Sequence, residues 1–563
     1  MKKIAYLASV AILATFSLSS CEDFLDSFPQ TSMTDKNFWK TTDDAEKVLV
    51  NLYTATLPRD FCWEESMSDN AYLCWEWWGG QQQVANGSAT VYGDVASGKW
   101  SGAYSSIRKC WFLLEGLEKI PSITEADKSR IKGQVYFMLA YNYYILTSFF
   151  GDVPLVTKAM VIPESEQLTR QSRTEVVRYA IDRLDDAIPM LEGLDLENGR
   201  VTAGACRALK ARIQLFNGQY AECLETIKGL EGKYQLYTEG ETPYEDLFSG
   251  ASEENCEMIL TIPCAPSVGG IANAHSGNGG MLLKGMSGND PYTAMYPTGA
   301  LIDAYPMADG RLIHENGSNY DAKNPYVNRD PRFYQSIVYP TANLKTLDSA
   351  TGTIVEKYYD PEDERTHPAQ RYNASEPSRT GYMWNKYIDY SPYAMNEIWD
   401  CTNDVVLFRY AEVLLMKAES LVRTQGVGAK TEICNIVDQL RNRVKGGLVH
   451  RENYNTEDEL MALVKNERRI ELANEGLRYL DIIRWRDAEK NPVTDGVGLN
   501  GNLYGAYMRL DGIGKDDRTV DVDGTARRFV EVRRFDASKN YLFPIPQGER
   551  DLNPNLSQNP GWE

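Results

Sequence analysis

The sequence predicts a mainly α-helical protein, in which tetratricopeptide-like helix hairpins form a scaffold and a loop-rich region with short strands is inserted. Two features of the chain support this fold class: paired segments of helical periodicity, and a long proline-rich stretch between them. We expect the helical scaffold to cover roughly residues 40–230 and 404–486, and the loop-rich regions roughly residues 231–403 and 487–563.

Apolar residues with helical periodicity define the helical segments. These cover roughly residues 42–57, 100–119, 126–149, 172–192, 203–230, 404–424, 430–445 and 456–486. In residues 203–230, small and large apolar residues such as Ala205 and Leu209 alternate, and Gly218 allows a tight turn before Tyr220. This pattern is typical of stacked helix hairpins of the tetratricopeptide kind, although no clean repeat of about 34 residues is present.

A different composition separates the helical blocks. Residues 243–400 contain 13 of the 24 prolines together with many Gly, Asn and Tyr residues, so long helices cannot run through them. Ordered loops of this length usually carry function. Residues 490–540 form a second such stretch, whose aspartates Asp516, Asp517, Asp521 and Asp523 lack the complete EF-hand spacing. Calcium binding there stays an open alternative, and our prediction is no metal and no cofactor.

The amino terminus has the composition of an export signal. Lys2 and Lys3 precede an apolar run over residues 4–18 that is shorter than the ~20 residues a membrane-spanning helix needs. The small residues before Cys21 resemble the lipobox of bacterial lipoproteins, in which the cysteine becomes the acylated first residue. We therefore interpret residues 1–20 as a signal peptide, Cys21 as the lipidation site, and residues 21–563 as a single domain.

Charge and cysteine content exclude several classes of protein. Removal of Lys2 and Lys3 with the signal peptide changes the formal net charge from -20 to -22, so nucleic acid is not expected as a partner. The nine cysteines that follow Cys21 are an odd number without paired C-x-x-C spacing, which supports neither a full disulfide framework nor a zinc site. The four histidines are not spaced as a metal pair, and no G-x-S-x-G or phosphate-loop motif is present.

Several distinctive segments follow one another in a fixed order along the chain. They include Gly151-Asp152-Val153-Pro154 at the end of an aromatic helix and Gln558-Asn559-Pro560-Gly561-Trp562 at the carboxyl terminus. The segments lie within residues 136–155, 199–212, 297–311, 329–333, 408–419, 466–485 and 542–562. In this order they resemble the SusD/RagB family of lipoproteins over essentially the whole mature chain.

This resemblance implies a function. A member of the family is expected to be anchored by its lipid to the outer membrane at the cell surface, to bind a glycan, and to deliver it to a SusC-like TonB-dependent transporter without catalysing a reaction. One alternative is a peptide-binding or structural partner of such a transporter, which the same scaffold supports. A second alternative is an enzyme of polysaccharide breakdown.

Two carboxylates test the enzymatic alternative. Glu471 and Glu475 lie four residues apart in an apolar-striped helical segment, where they would repel each other unless arginines such as Arg468 and Arg478 intervene. Glycoside hydrolysis needs two carboxyl groups facing each other across an open cleft. We therefore interpret the pair as part of a semi-buried charge network that ties helices together.

Aromatic residues in loops define the predicted ligand face. Six of the eleven tryptophans lie between residues 63 and 111, and adjacent tryptophans cannot all enter one core. Sugars need flat rings for stacking and amides or carboxylates for hydrogen bonds. By the resemblance, loops at residues 65–100 and 270–300 flank the ligand. The predicted glycan-binding residues are Trp75, Trp77 and Trp78 for stacking, Asp69, Asn70, Gln81, Gln82, Asn289 and Asp290 for hydrogen bonds, and Tyr292 and Tyr296 to complete the platform.

An alternative stays open for each tryptophan of this face, namely that it anchors the loop to the core. We expect Trp100 and Trp111 to lie in the core, and Trp384 to be the core-facing residue of a strand. The pattern around Trp399 favours neither a core nor a surface position.

Overall fold

Helices dominate the computed structural model, which describes residues 38–75, 79–160, 162–268, 274–289, 291–292, 294–363, 378–508, 519–522 and 525–563. The α-helices are α1 (Thr42–Thr56), α2 (Gln81–Ala85), α3 (Asp94–Leu117), α4 (Glu125–Phe150), α5 (Ile162–Ser165), α6 (Arg173–Leu191), α7 (Ala203–Phe216), α8 (Tyr220–Lys228), α9 (Pro243–Asp246), α10 (Gly277–Met281), α11 (Gly299–Ala304), α12 (Pro331–Ser336), α13 (Tyr410–Gln425), α14 (Lys430–Arg443), α15 (Glu457–Glu471), α16 (Arg478–Trp485) and α17 (Gln547–Leu552). The predicted mainly helical fold class is confirmed.

Side chains at the helix ends explain where several helices begin. Thr124, Ser172 and Thr202 each accept a hydrogen bond from a backbone N–H of the first turn of α4, α6 and α7. Thr456 and Glu459 form a reciprocal capping box at the start of α15. These contacts satisfy N–H groups that have no partner within the helix.

The helices pack as antiparallel neighbours around buried apolar faces. In the amino-terminal half, α3, α4, α6, α7 and α8 contact one another in sequence order, and α4 is buried along most of its length. In the carboxyl-terminal half, α13 packs against α14 and α15, and α8 packs against α13. The predicted turn at Gly218 separates α7 from α8, which confirms the hairpin.

Two predicted helical segments differ from the structure. The segment at 456–486 is divided into α15 and α16 because Asn474 (φ 61°) and Gly476 (φ 71°) adopt left-handed backbone conformations between them. The segment at 404–424 begins with a buried strand, Val405–Arg409, and becomes helical only from Tyr410. The run Val405-Val406-Leu407-Phe408 has strand propensity, and pairing with a second strand decides its conformation.

Short strands lie mainly in the loop-rich regions. They are β1 (Ala71–Leu73), β2 (Met258–Ile262), β3 (Met295–Pro297), β4 (Ile337–Val338), β5 (Asn343–Asp348), β6 (Thr353–Tyr358), β7 (Met383–Trp384), β8 (Val405–Arg409), β9 (Gly501–Tyr507), β10 (Thr519–Val522) and β11 (Thr525–Arg533). All pairings are antiparallel: β1 with β3, β2 with β8, β4 with β7, β5 with β6, and β11 between β9 and β10. Pairing of β1 with β3 brings the loops that follow residue 73 next to residues 292–294.

Buried arginines and carboxylates connect the helical scaffold to the inserted region. Glu471 accepts hydrogen bonds from Arg332 (2.9 Å), Arg409 (2.7 Å) and Arg443 (2.5 Å), and Glu475 accepts two from Arg409. Although burial opposes it, the three arginines hold the pKa of Glu471 well below its usual range. The predicted charge network is present, and it is fully buried rather than semi-buried.

The arginines named in the sequence prediction have other partners. Arg468 pairs with Asp481 at 2.9 Å, and Arg478 pairs with Asp69 at 2.8 Å. The helix break at residues 472–477 turns Arg478 away from the two glutamates, because α16 no longer continues the axis of α15.

Trp100 and Trp384 lie in the core as predicted, whereas Trp111 lies at its edge. Trp100 is buried in the scaffold core, Trp384 is fully buried in β7, and Trp111 is half-buried with its indole N–H donating to the Val156 carbonyl. The carboxyl-terminal strap, residues 542–562, packs on α4: the Phe543 N–H donates to the Phe149 carbonyl, and Trp562 is buried.

Candidate functional site

Two loops of the inserted region are joined by backbone hydrogen bonds and form the base of the candidate site. His275 and Cys401 exchange N–H···O bonds of 3.2 and 3.0 Å, Gly279 donates to the Ile398 carbonyl at 2.7 Å, and Gly288 donates to the Met395 carbonyl at 2.9 Å. These bonds hold the loop around α10 against residues 389–401.

A buried polar network below these loops keeps them in place. The Asn278 amide donates to the Asp389 carbonyl at 2.7 Å, and the Asp389 N–H donates back to the Asn278 side chain at 3.0 Å. The Asp389 carboxylate accepts from the N–H groups of Ser391 and Thr402, both at 2.9 Å. Because these polar groups are buried and satisfied, the surface above them is held in one arrangement.

Tyr292 and Trp399 form an exposed aromatic platform above this base. Their ring centroids lie 5.3 Å apart with an interplanar angle of 52°, and the residues are 48% and 41% exposed. Below them, the half-buried Trp75 donates its indole N–H to the Tyr292 carbonyl at 2.8 Å, and the Tyr292 N–H donates to the Gly279 carbonyl at 2.8 Å. The two rings are therefore presented to solvent by a rigid backbone.

Two adjacent glycines allow this packing. A Cβ atom on Gly279 would lie 2.2 Å from the ring of Trp399, and one on Gly280 would lie 1.8 Å from the ring of Trp63. Trp63 is buried, whereas Trp399 lies on the outer side of the same backbone. The glycine-rich sequence is thus needed for the close approach of the two indoles from either side.

Polar groups lie along one side of the platform. Tyr393 is 41% exposed and donates its hydroxyl to Asp400 at 2.5 Å, and the Ser267 N–H donates to the same carboxylate at 2.9 Å. Although partial burial opposes it, hydrogen bonds from Ser267 and Tyr393 lower the pKa of Asp400. The same hydrogen bond to Asp400 raises the pKa of Tyr393 to about 12. Asp400 is therefore an anion and Tyr393 a neutral hydroxyl at ordinary pH.

The exposed amides of Asn289 and Asn396 extend this polar rim. The Asn289 side chain donates to the backbone carbonyl of Asn396, and the Asn396 side chain donates to the Pro392 carbonyl at 2.9 Å. Both side chains are on the surface. We call Tyr393, Asp400, Asn289 and Asn396 the polar rim.

Four predicted ligand residues lie in the interior instead, which corrects the prediction for them. They are Asp69, Asn70, Gln82 and Tyr296. Asp69 is held by Arg478 at 2.8 and 2.9 Å, and Asn70 bonds to Glu65 at 2.6 Å. Tyr296 faces the core from β3, where it is opposite Tyr72 in β1. Strand pairing and buried arginines decide these positions, and neither can be read from local sequence.

The other predicted residues divide into two groups. Trp75, Gln81, Asn289 and Tyr292 are described, and Trp75, Asn289 and Tyr292 lie at the platform or its rim. Gln81 begins α2 and is half-buried. Trp77, Trp78, Asp290 and the lipidation site Cys21 lie outside the described residues, as do Asp516, Asp517 and Asp523 of the acidic stretch.

Sequence reasoning missed Trp399, Tyr393 and Asp400. The signal available was two aromatic residues in a turn-rich segment, Tyr393 directly after Pro392 and Trp399 directly before Asp400. That signal does not reveal which loop these residues meet, and the pairing with Tyr292 depends on contacts more than 100 positions apart.

The chemistry of the site is that of stacking and hydrogen bonding. The platform offers two ring faces, and its rim offers one carboxylate, one phenol and two amides. Among the described residues, no group of three or more His, Cys, Asp or Glu side chains is placed to hold a metal ion. Nor is any helix in the described parts of the chain long and apolar enough to span a membrane.

The chain matches two family models and is similar to several known proteins, some of which have solved structures. One model, described as the SusD family, matches residues 256–562, and another, described as starch-binding associating with outer membrane, matches residues 23–215. A SusD-like protein of Formosa agariphila is 27% identical over 519 residues, which span 87% of this chain and 93% of that protein. A second SusD-like protein of the same organism is 24% identical and covers 98% of each chain.

Solved structures agree with this assignment. A SusD-like carbohydrate binding protein from Bacteroides fragilis has a TM-score of 0.79 and 25% identity, over 92% of this chain and all (100%) of that one. A laminarin binding SusD-like protein shares the fold with a TM-score of 0.65 and 19% identity, over 93% of this chain and 100% of that one. Because a model of the family covers more than half of its length, the chain belongs to the SusD family.

Proposed function

We propose that this chain is a cell-surface lipoprotein that captures an oligo- or polysaccharide on the aromatic platform and passes it to a SusC-like TonB-dependent transporter. The observation that carries the proposal is the exposed ring pair of Tyr292 and Trp399, held on a rigid backbone beside a polar rim. Large aromatic rings are normally buried, so two adjacent exposed rings favour a binding surface.

The arrangement suits a carbohydrate. A sugar ring has an apolar C–H face that stacks on an aromatic ring, and its hydroxyls both donate and accept hydrogen bonds. Asp400 accepts hydrogen bonds, while the amides of Asn289 and Asn396 can do both. A peptide ligand would also use the rings, and the binding screen below separates the two ligand classes.

The expected binding free energy can be estimated from the ring area that a sugar would cover. If each ring loses ~100 Å² to a sugar face, it contributes ~2.5 kcal/mol before costs. Two rings and two or three hydrogen bonds of ~1 kcal/mol each then exceed an association cost of at least ~4 kcal/mol by only a few kcal/mol. The expected affinity is micromolar to millimolar, which suits a protein that must release its ligand to a transporter.

The comparisons support the ligand class and the location. The similar protein of Bacteroides fragilis is described as carbohydrate binding, and another similar structure is described as laminarin binding. The model that matches residues 23–215 is described as associating with the outer membrane. Together with the lipobox-like sequence before Cys21, these descriptions favour a lipid anchor at the outer membrane.

A catalytic role is not part of the proposal. Glu471 and Glu475, which resemble a carboxylate pair in sequence, are buried and bonded to arginines, so a substrate cannot reach them. Glycoside hydrolysis requires two carboxyl groups on opposite sides of the bond, and this buried pair does not provide them. Both carboxylate oxygens of the partly exposed Asp400 accept hydrogen bonds from Ser267 and Tyr393, and the proposal gives Asp400 the role of a hydrogen-bond acceptor.

A binding screen tests the proposal. Residues 22–563 are produced as a soluble protein and screened against a panel of plant, host and microbial glycans and against peptide mixtures by affinity electrophoresis and calorimetry. The glycan that binds is then tested against Trp399→Ala and Tyr292→Ala, each of which we expect to weaken binding by more than about tenfold. Phe112→Ala is the control, since Phe112 is 44% exposed on α3 and remote in sequence from both loops.

Three outcomes of the binding experiments and one purification decide the proposal. Weaker glycan binding by both platform variants with unchanged binding by Phe112→Ala supports it. Equal affinity of Trp399→Ala and the parent protein contradicts the platform as the site, and binding of peptides alone favours the peptide-binding alternative.

A purification tests the transporter partner. The tagged lipoprotein, purified from solubilised outer membranes, should yield a barrel protein at about a 1:1 ratio, and the absence of that barrel protein contradicts the delivery step.

A further inference from the structure

A second candidate site lies on the other part of the molecule, where the carboxyl-terminal strap crosses the helical scaffold. A cleft of about 500 Å³ is lined there by the end of α4, the start of α6, the end of α16 and the strap. Its charged lining residues are Asp152, Arg170, Arg173, Arg484 and Arg486, and Tyr541 adds a hydroxyl. We call it the arginine cleft. Four arginines around one cleft are unexpected in a chain with a formal net charge of -20.

One of the four arginines is neutralised by carboxylates. Arg484 donates to both oxygens of Glu419, with 2.5 and 2.6 Å bonds, and also to Asp481 at 2.8 Å. This bidentate pairing neutralises its guanidinium, so Arg484 does not act as a free cation in the cleft. The positive charge of the cleft therefore comes from Arg170, Arg173 and Arg486.

Neutral oxygen atoms hold Arg170 in place. Its guanidinium donates to the backbone carbonyls of Asp152 at 2.8 Å and Ser557 at 3.1 Å, and to the side-chain oxygen of Asn559. These bonds connect the strap to the end of α4. They orient the guanidinium without neutralising its charge. Burial lowers the pKa of Arg170, and the Asp152 carboxylate opposes this shift.

Neutral oxygen atoms also hold Arg173, the first residue of α6. Its side chain donates to the Asn217 amide oxygen at 2.9 Å and to the Phe216 carbonyl at 3.3 Å. Burial first, and then the positive charge of Arg486, lower the pKa of Arg173. Among the described residues its Nη1 has no hydrogen bond, so this end of the fork is available to a ligand.

Arg486 is the third arginine that contributes positive charge to the cleft. It is exposed, adopts a left-handed backbone conformation (φ 62°) at the end of α16, and lies with its guanidinium carbon 4.0 Å from the ring centroid of Tyr541. The aromatic ring holds the guanidinium plane at the cleft wall. Asp152 is the carboxylate among the described lining residues, and it accepts the Arg173 backbone N–H at 2.7 Å. Glu489, which does not line the cleft, accepts the Tyr541 hydroxyl at 2.9 Å.

From this geometry we infer that the arginine cleft binds a small organic oxyanion, namely a phosphate or sulfate ester the size of a monosaccharide. Guanidinium groups present paired donors that match the oxygens of such an ester. Three arginines face the single lining carboxylate of Asp152, and this excess of positive charge favours a divalent anion. A volume of about 500 Å³ exceeds the space that an inorganic ion occupies and lies in the range of small-molecule sites. The cleft uses scaffold and strap, whereas the aromatic platform uses inserted loops, so either site can fail without the other.

Calorimetric titration of residues 22–563 tests the inference. The probes are glucose 6-phosphate, glucose 6-sulfate, inorganic phosphate and unmodified glucose, all at constant ionic strength adjusted with sodium chloride. The parent protein should bind at least one sugar ester and bind it more tightly than inorganic phosphate, and glucose should not bind in the cleft. Arg486→Gln should weaken ester binding about tenfold, since one charge-assisted contact accounts for about a decade in affinity.

Arg178→Gln is the matched control, because Arg178 is exposed on α6, has the same charge and does not line the cleft. Its affinity for the ester should equal that of the parent protein, and circular dichroism should show both variants folded. Equal loss in Arg178→Gln and Arg486→Gln would mean only a general charge effect and overturns the site. Absence of ester binding at millimolar concentration also overturns it, and equal affinity for inorganic phosphate overturns the assignment to an ester.

Discussion

The indole of Trp399 lies against the backbone of Gly279 so closely that a Cβ atom there would stand 2.2 Å from ring atoms Cε3 and Cζ3. No side chain other than hydrogen fits without moving the ring. We therefore expect Gly279→Ala to displace Trp399, to disrupt its contact with Tyr292 and to reduce glycan affinity by about tenfold or more. The measurement is calorimetric titration with the glycan identified by the binding screen, together with a melting curve.

A second glycine gives the control for this variant. Gly98 lies on the exposed side of α3, where an added Cβ meets nothing within 4 Å. Gly98→Ala should leave glycan affinity unchanged and stabilise the helix by roughly 0.5–1 kcal/mol. Unchanged affinity of Gly279→Ala would show that the position of Trp399 does not matter for binding.

The burial of Asp69 leads to a prediction about stability instead of binding. Although burial opposes it, Arg469 and Arg478 lower the pKa of Asp69 to about 2. Asp69→Asn would leave two buried guanidinium groups without their carboxylate, which should lower the free energy of unfolding by about 3–5 kcal/mol. Urea denaturation followed by circular dichroism measures this change.

An exposed aspartate provides the comparison. Asp185 pairs with Lys210 on the surface, where its side chain is 50% exposed. Asp185→Asn should change the free energy of unfolding by less than about 1 kcal/mol, because exposed ion pairs contribute little. Equal free energies of unfolding for the two variants would show that the ion pairs of Asp69 with Arg469 and Arg478 contribute little to stability.

Much of the scaffold could be predicted from the sequence, because its helices carry their own signals. The apolar pattern of residues 126–149 and the turn at Gly218 gave correct helices, since periodicity and capping are local properties. The pattern failed at Val405–Arg409 and at Asn474. In the first case a partner strand more than 140 positions away decides the conformation, and in the second a left-handed residue interrupts an otherwise helical sequence.

The candidate site was less accessible to sequence reasoning. Tyr292 and Trp75 were predicted as ligand residues because they are aromatic residues beside glycines and turns. The residues around them depend on which loops meet, and Trp399 reaches the site because its segment is hydrogen-bonded to a distant loop, for example through Met395 and Ile398. Asp69 and Asn70 have the residue types of a sugar-binding site, but buried arginines from α15 and α16 engage both. Residue type alone does not distinguish a ligand group from a structural ion pair.

The lipidation site gives a prediction about location. Cys21 is the residue that the lipobox-like sequence marks for acylation, and each buried CH₂ group of an acyl chain contributes ~0.8 kcal/mol to membrane binding. Cys21→Ala should therefore move the protein from the membrane fraction to the soluble fraction while leaving its melting temperature unchanged. Fractionation is done in cells that lack the transporter, because a protein partner could retain the variant. Full retention in the membrane fraction of such cells would contradict lipid anchoring.

The buried carboxyl of Glu65 makes the stability of the folded protein depend on pH. Burial raises the pKa of this carboxyl to about 7, despite the hydrogen bond that it accepts from Asn70 at 2.6 Å. In the unfolded chain the pKa is about 4.3. Between these two values the folded protein holds a proton that the unfolded chain releases, so stability falls as pH rises from about 4.3 to about 7 and then levels off.

Glu65→Gln should remove this dependence, because an amide of the same shape cannot ionise. We expect the free energy of unfolding of the variant, relative to the parent protein, to rise by about 2–4 kcal/mol between pH 5 and pH 8. Urea denaturation at half-unit pH intervals measures that difference, and subtraction of the parent curve cancels the other titrating groups. Glu197→Gln is the control, since the Glu197 side chain is 87% exposed and its variant should follow the parent at every pH. A constant difference between Glu65→Gln and the parent protein would show that Glu65 titrates near its ordinary pKa, with solvent reaching the carboxyl in the folded state.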